Sequence, residues 1–306
     1  MTRVAAIDCG TNSIRLLIAD VDDGALVDVV RTLRIVRLGR GVDRTGRLDP
    51  AAIERTRLAL ADYAAEVARL GVARTRMVAT SATRDAANRA DFHDMVRDTL
   101  GAPAEVISGD EEAALSYAGA VRGLDVREAP YLVVDIGGGS TEFVLGDAAG
   151  MWSGRSVDIG CVRLTERHLR DDPPSPEQIA AAEADVRAAL GLVRERVRVD
   201  EARSFVGLAG SVTTVAALAL GLTDYDAARI HGSRIAAADV RAVADRLLAT
   251  DQATRAANPV IHPGRVDVIG GGALVLRVLV DELSVPEVVV SEHDILDGIA
   301  WSLARR

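Results

Sequence analysis

The 306-residue chain has no lysine, and all 36 of its Lys-or-Arg positions are arginine. The absence excludes the P-loop G-x-x-x-x-G-K-[ST], which needs a lysine ammonium at the phosphates. It also excludes Schiff-base chemistry, which needs a lysine amine. Aromatic residues make up only 3% of the chain, so Ala, Val, Leu and Ile must fill the core, and rings for stacking a nucleobase are few. The two cysteines, Cys9 and Cys161, stand far apart and outside any C-x-x-C; a reduced, cytoplasmic setting is expected. His93, His168, His231, His262 and His293 form no H-x-x-x-H or H-E-x-x-H, so zinc is not expected. Residues 1–8 lack a basic segment followed by a long apolar run, which argues against a signal peptide. The one long uncharged stretch, 205–222, carries Gly207, Gly210, Ser211, Thr213 and Thr214 in its first half. It reads as a buried strand at 203–206, a glycine loop and a buried helix, so no membrane span is expected. The net charge of −9 argues against a nucleic-acid binder, yet a local arginine cluster can still grip a polyanion.

The length suits two domains. They are expected at 1–124 and 125–306, with a last helix at about 294–306 packing back on the first. Both open alike. Val4-Ala-Ala-Ile-Asp8 and Tyr131-Leu-Val-Val-Asp135 are apolar runs ending in a carboxylate. Asp8-Cys-Gly10-Thr-Asn-Ser13 and Asp135-Ile-Gly137-Gly-Gly-Ser140 then share the frame D-x-G-x-x-S. Apolar triplets follow at equal offset, Leu16-Leu17-Ile18 and Phe143-Val144-Leu145, and each copy meets a turn, at Gly24 and at Gly150. One recurrence over 127 residues (135 − 8) indicates a duplicated domain rather than a solenoid. Further strands are expected at 14–19, 25–30 and 76–79. Helices are expected to start at Asp49-Pro50 and Ser175-Pro176, each with a capping residue before a proline in the first turn. Gln178 would complete a capping box with Ser175. The apolar face of the first helix would include Ile53, Leu58, Leu60 and Tyr63.

A strand ending in Asp, then a glycine turn bearing Ser or Thr, is a phosphate-binding device. Backbone N–H groups approach the phosphate oxygens where no side chain intervenes, and the hydroxyl adds a donor. The carboxylate sits at the same depth, where Mg²⁺ bridges to phosphate. Two such loops, Gly10-Thr11-Asn12-Ser13 and Gly137-Gly138-Gly139-Ser140-Thr141, would clamp a phosphate chain, with a third glycine loop at Gly210-Ser211.

These motifs resemble those of the actin, Hsp70 and sugar-kinase superfold. Within it the chain is similar to the exopolyphosphatase/guanosine pentaphosphate phosphohydrolase (Ppx/GppA) family. The matching segments are 6–13 (AIDCGTNS), 80–86 (TSATRDA), 106–113 (VISGDEEA), 134–142 (VDIGGGSTE), 160–162 (GCV) and 207–211 (GLAGS). No counterpart of the extra C-terminal helical region of longer members is expected. The resemblance implies a two-lobed, duplicated α/β fold of ribonuclease H-like type with its site in an inter-lobe cleft, Mg²⁺ or another divalent cation, and hydrolysis of a terminal phosphoanhydride. The substrate would be inorganic polyphosphate or, alternatively, guanosine pentaphosphate, with no nucleic-acid or membrane partner; a homodimer is in keeping with the fold. An actin-like kinase or a non-catalytic binding module is the reading of another class.

The family uses a glutamate of Glu-Glu-Ala to activate water. Ser108-Gly-Asp-Glu111 has the capping-box spacing, which would fold Glu111 back onto Ser108 and leave Glu112 as general base. By the same carry-over Asp135 and Glu142 form the acidic pair at the metal, with Asp8 sharing the cation. Arg84 and Arg265 match the phosphate-binding arginines, a role suited to the guanidinium fork. A basic run, Arg31, Arg34, Arg37, Arg40, Arg44 and Arg47, reads equally as a polyanion guide or as a solvated face.

Overall fold

The computed structural model describes residues 2–22 and 25–304. Asp23 and Gly24 of the expected turn lie outside them. The chain divides into two units: Met1–Gly119 with Ile295–Arg306, and Ala120–Asp294.

The first unit holds a five-stranded sheet. Its strands are β1 (Thr2–Cys9), β2 (Ser13–Asp22), β3 (Ala25–Ile35), β4 (Arg74–Ala79) and β5 (Glu105–Val106), in the order β3-β2-β1-β4-β5. β1 pairs antiparallel with β2, and β2 with β3, while β4 and β5 run parallel to β1. β1 lacks polar alternation because both of its faces are covered. Ala5, Ile7 and Cys9 join the cluster containing Leu60, Tyr63 and Phe92; Val4 and Ala6 pack with Leu296, Ile299 and Leu303 of the helix Ile295–Ala304. The helix Pro50–Arg69 starts as expected: the Asp49 side chain accepts from the Ala51 N–H, and Pro50 takes the first turn. Its buried stripe is Ala52, Thr56, Ala59, Leu60 and Tyr63. Leu58 is 54% exposed, because at about 100° per residue it lies on the opposite side of the helix from Thr56 and Leu60.

The second unit holds β6 (Tyr131–Ile136), β7 (Thr141–Asp147), β8 (Gly150–Val157), β9 (Ser204–Leu208), β10 (Arg234–Ala236) and β11 (Glu287–Val290), in the order β10-β11-β9-β6-β7-β8. β6–β7 and β7–β8 are antiparallel; β6–β9 and β9–β11 are parallel. This is the first unit's topology with one antiparallel edge strand, β10, added. The repeat extends to irregularities. Register slips between Ile18 and Ala19 on β2, and between Leu145 and Gly146 on β7, at the same place in the two copies. The duplicated ribonuclease H-like α/β fold expected from the motifs is the fold observed.

Two local expectations change. The strand β9 runs straight into the helix Ala209–Ala219, so no loop separates them. The sharp turn is made by Ala209 at φ 65°, a left-handed conformation that residues with a Cβ seldom take. Ser175 caps the helix Pro176–Arg194 by accepting from the Gln178 N–H at 3.3 Å. The Gln178 side chain, however, accepts from the Arg170 and Asp171 N–H groups, so the box is half formed. No helix among the described residues is long and apolar enough to cross a membrane.

Candidate active site

In each unit the turn of the first hairpin is closed by one bond from the frame glycine to the frame serine. Gly10 N–H donates to Ser13 O at 2.9 Å, and Gly137 N–H to Ser140 O at 3.0 Å. The exit from the third strand then grips the turn from behind. In the first unit the Asn12 carbonyl accepts from the N–H groups of Val36 and Arg37, and that of Thr11 from Gly39. In the second, the Gly137 carbonyl accepts from Cys161 N–H, that of Gly138 from Val162 and Arg163 N–H, and that of Gly139 from Arg163 Nε at 2.6 Å. These donors belong to the first turn of the helix Cys161–His168, whose N–H groups have no partner within the helix.

A trans peptide points its C=O and the next residue's N–H in opposite directions. With the carbonyls of 137–139 turned to the helix, the N–H groups of Gly138, Gly139 and Ser140 face the other way, as a concave row of donors suited to an anion. Asn12 and Ser13 are oriented alike in the first unit. Gly137 suits the turn, since a Cβ there would lie a tight 3.0 Å from Ser140 O, and Gly160 is required by the approach of the helix, since its Cβ would lie 2.6 Å from the Gly138 carbonyl.

The first unit connects three of the expected site segments. Thr11 Oγ1 and Ser81 Oγ are 2.9 Å apart. Ser81 opens the short helix Ser81–Arg84, and Arg84 Nη1 donates to Ile107 O at 3.0 Å and to Glu112 Oε2 at 3.1 Å. Glu112, on the helix Gly109–Ala120, is 8% exposed. Ser108 Oγ accepts from the Glu111 N–H at 3.2 Å, as the capping-box spacing requires. The Glu111 carboxylate does not fold back, because Arg76 Nη2 takes it at 2.7 Å; a guanidinium binds a carboxylate more strongly than a backbone N–H does. Asp8 is buried at the end of β1 and opposes Arg15 on β2. Arg15 Nε and Nη2 both donate to Asp8 Oδ2, at 3.0 and 2.6 Å.

In the second unit Asp135 and Glu142 are directly opposed on β6 and β7. Cross-strand partners lie on one face, and these are 7% and 1% exposed. Ser156, opposite Glu142 on β8, donates to Glu142 Oε1 at 2.7 Å. β9 ends beside Asp135, which is in register with Leu208. Gly210 follows, and a Cβ there would overlap the Arg265 guanidinium, so Arg265 lies flat on Gly210. Its turn is held by His262, whose Nδ1 accepts from Gly264 N–H at 3.0 Å and whose carbonyl accepts from Arg265 N–H at 2.8 Å. Burial, then the nearby Arg265, lowers the His262 pKa, which keeps the ring a neutral acceptor. Ser211 hydrogen-bonds Cys161, whose thiol is raised above its ordinary value chiefly by burial. Thr141 is fully buried and gives its hydroxyl to Ile159 O at 2.8 Å. That hydroxyl hydrogen bond secures the β8 exit.

The family model of the Ppx/GppA phosphatase family matches residues 17–306. The chain belongs to the Ppx/GppA phosphatase family. It is 55% identical to Exopolyphosphatase 2 of Mycobacterium tuberculosis (strain H37Rv) over 317 aligned positions, covering 99% of each chain. The crystal structure of an exopolyphosphatase-like protein superposes with a TM-score of 0.96 at 44% identity, over 100% of this chain and 98% of the other. The Ppx/GppA enzyme of Aquifex aeolicus gives a TM-score of 0.82 at 31% identity, over 98% and 99%.

For a Ppx/GppA phosphatase, the donor chemistry of the second hairpin fits a hard divalent cation. Two opposed carboxylates and a serine hydroxyl offer oxygen only, and Mg²⁺ is commonly held by one or two carboxylates while keeping several waters. Among the described residues no group of three or more His, Cys, Asp or Glu could hold a metal. The Asp8 carboxylate already binds a guanidinium, so it suits the cation less than Asp135 and Glu142 do.

Some neighbours were not legible as site residues. Arg15, Arg76, Ser156 and Arg163 sit in no glycine motif; only Arg15 carried a signal, its offset of seven from Asp8, which matches that of Glu142 from Asp135. His231 and His293, scattered in sequence, stack with centroids 4.6 Å apart. Part of the basic run is structural: Arg31 pairs with Asp28 and with the fully buried Asp297, and Arg34 lies 3.6 Å from Asp62.

Proposed function

We propose that the chain is an exopolyphosphatase, hydrolysing the terminal phosphoanhydride of inorganic polyphosphate and releasing orthophosphate. The observation that carries this reading is the pair of turns whose carbonyls are captured from behind. Two rows of N–H donors, one accompanied by a carboxylate pair, suit a ligand made of repeated phosphates. The 55% identity to Exopolyphosphatase 2 supports it.

In this mechanism Glu112 accepts the proton of the attacking water. Its burial beside Arg84 holds the carboxylate in one posture, which counts because a general base must lie within hydrogen-bond reach of the proton it takes. Gly138, Gly139 and Ser140 offer their N–H groups to non-bridging phosphate oxygens in the second unit, and Asn12 and Ser13 offer theirs in the first. Asp135 and Glu142 would hold Mg²⁺ or another divalent cation, which supplies charge neutralisation on the phosphate oxygens when bound. Arg84 and Arg265 hold phosphates of the leaving chain, where bidentate contacts fix its direction. In a phosphoryl transfer of this kind, positioning and charge stabilisation do most of the work.

A second reading, hydrolysis of guanosine pentaphosphate, draws on Tyr225. This ring is 45% exposed, and its hydroxyl bonds Thr213 Oγ1 at 2.7 Å and Glu292 Oε1 at 2.6 Å. Burial, then Glu292, raises its phenol above the ordinary range, while the nearby Arg265 opposes the rise. It is an aromatic surface next to a phosphate-binding arginine. Phosphate release, measured with Mg²⁺ on long polyphosphate, short polyphosphate, guanosine pentaphosphate and ATP in parallel, separates the readings. Polyphosphate is expected to be turned over fastest; preference for guanosine pentaphosphate replaces the first reading with the second, and turnover of ATP alone overturns both.

A further inference from the structure

We infer that Arg76 is a positioning residue for the water-activating Glu112, acting through Glu111; the inference rests on the reading of Glu112 as the base. Arg76 lies on β4, outside every glycine motif, and is 7% exposed. Its guanidinium is shared among three elements. Nε and Nη2 donate to Glu105 Oε2 on β5 at 3.0 and 2.7 Å, Nη2 to Glu111 Oε1 at 2.7 Å, and Nη1 to Ser302 Oγ at 3.0 Å on the helix Ile295–Ala304.

Glu111 and Glu112 are consecutive in the first turn of the helix Gly109–Ala120. Successive side chains of an α-helix diverge by about 100°. Clamping Glu111 on one side therefore sets the rotation of that turn, and with it the direction of Glu112. A second contact fixes how close the helix comes. A Cβ on Gly298 would overlap the Leu115 carbonyl, so the helix Ile295–Ala304 meets the base helix backbone to backbone. Arg76 thus ties the base helix to both the sheet and the last helix of the same unit. A buried guanidinium held by two carboxylates is retained at a desolvation cost, and orienting the catalytic turn is what it accomplishes here.

The test is steady-state phosphate release from polyphosphate with Mg²⁺, with thermal melting as a fold control, for Arg76→Met, Arg76→Lys, Glu111→Gln, Glu105→Gln and Glu112→Gln. Arg76→Met and Glu111→Gln are each expected to lower kcat about tenfold or more, since small misplacements of a catalytic group cost up to about 100-fold, with KM within about twofold. Arg76→Lys recovers part of the loss, and the Arg76→Met/Glu111→Gln double variant is no worse than the poorer single one. Glu105→Gln, which leaves the Glu111 bond in place, keeps kcat near wild type. Glu111→Gln removes one half-exposed carboxylate, so it stays informative if Arg76→Met does not fold. Wild-type kcat in folded Glu111→Gln overturns the inference, as does an equal loss in Glu105→Gln. Wild-type kcat in Glu112→Gln instead overturns the base reading, whatever the Arg76 variants do.

Discussion

The two hairpins are copies of one device that differ in charge. Each places an aspartate at the end of its first strand and closes its turn with the same glycine-to-serine bond. Seven residues after the aspartate the copies part: Arg15 faces Asp8, whereas Glu142 faces Asp135. The first hairpin carries its own cation, on a guanidinium 2.6 Å from the carboxylate. The second sets two carboxylates side by side and suits a divalent ion from solution. Under the proposed function, duplication would supply two anion-binding turns, and one substitution at an equivalent strand position would leave a single metal site rather than two.

The largest expected effect tests that difference. Glu142→Gln should lower kcat on polyphosphate by about 100-fold or more, the scale on which losing one preorganised transition-state contact is felt. It should also abolish the rise in melting temperature expected of the wild type with Mg²⁺, which would bind the folded state. A Mg²⁺-dependent rise retained in Glu142→Gln breaks the comparison. Next comes the phosphate grip of the second unit. In Gly210→Ala the new methyl must displace the Arg265 guanidinium, and KM for polyphosphate should rise about tenfold, the equivalent of one charge-assisted hydrogen bond. Kinetics at saturating and limiting substrate check it, with kcat the less affected quantity.

Arg15→Met addresses the first hairpin. It leaves Asp8 buried without that guanidinium and should destabilise the fold by about 1.5–3 kcal/mol, the range for hydrogen bonds to charged groups. Urea unfolding of Arg15→Met, Asp8→Asn and the double variant measures the coupling; additive losses would deny the pair its neutralising role. The smallest effect is Thr11→Val, which removes the hydroxyl contact to Ser81 and should cost about 1 kcal/mol with activity largely retained.

The duplication was legible because its signature is local: an apolar run, a carboxylate and a glycine turn lie within a dozen residues and recur intact. The capture of the turn carbonyls by residues 36, 37 and 39 and by 161–163 was not, because it joins segments that only the sheet topology brings together. The Gly-Cys-Val motif could be matched but not explained until Gly160 was seen against Gly138. At 207–211 glycines suggested a loop, and the turn instead falls on Ala209, a residue with no propensity for φ 65°. At 108–111 the spacing correctly gave the Ser108 cap, while the partner of Glu111 depended on Arg76, 35 positions upstream. Sequence spacing reads bonds within a turn and is blind to a competing guanidinium from another strand.

The account turns on which hairpin holds the cation. Mg²⁺ titration of polyphosphate hydrolysis by wild type, Asp8→Asn and Glu142→Gln tests this most directly. The predicted result is a Mg²⁺ requirement in the wild type, near-unchanged Mg²⁺ affinity in Asp8→Asn, and loss of Mg²⁺ activation in Glu142→Gln. Normal Mg²⁺ activation of Glu142→Gln, together with its loss in Asp8→Asn, would contradict it.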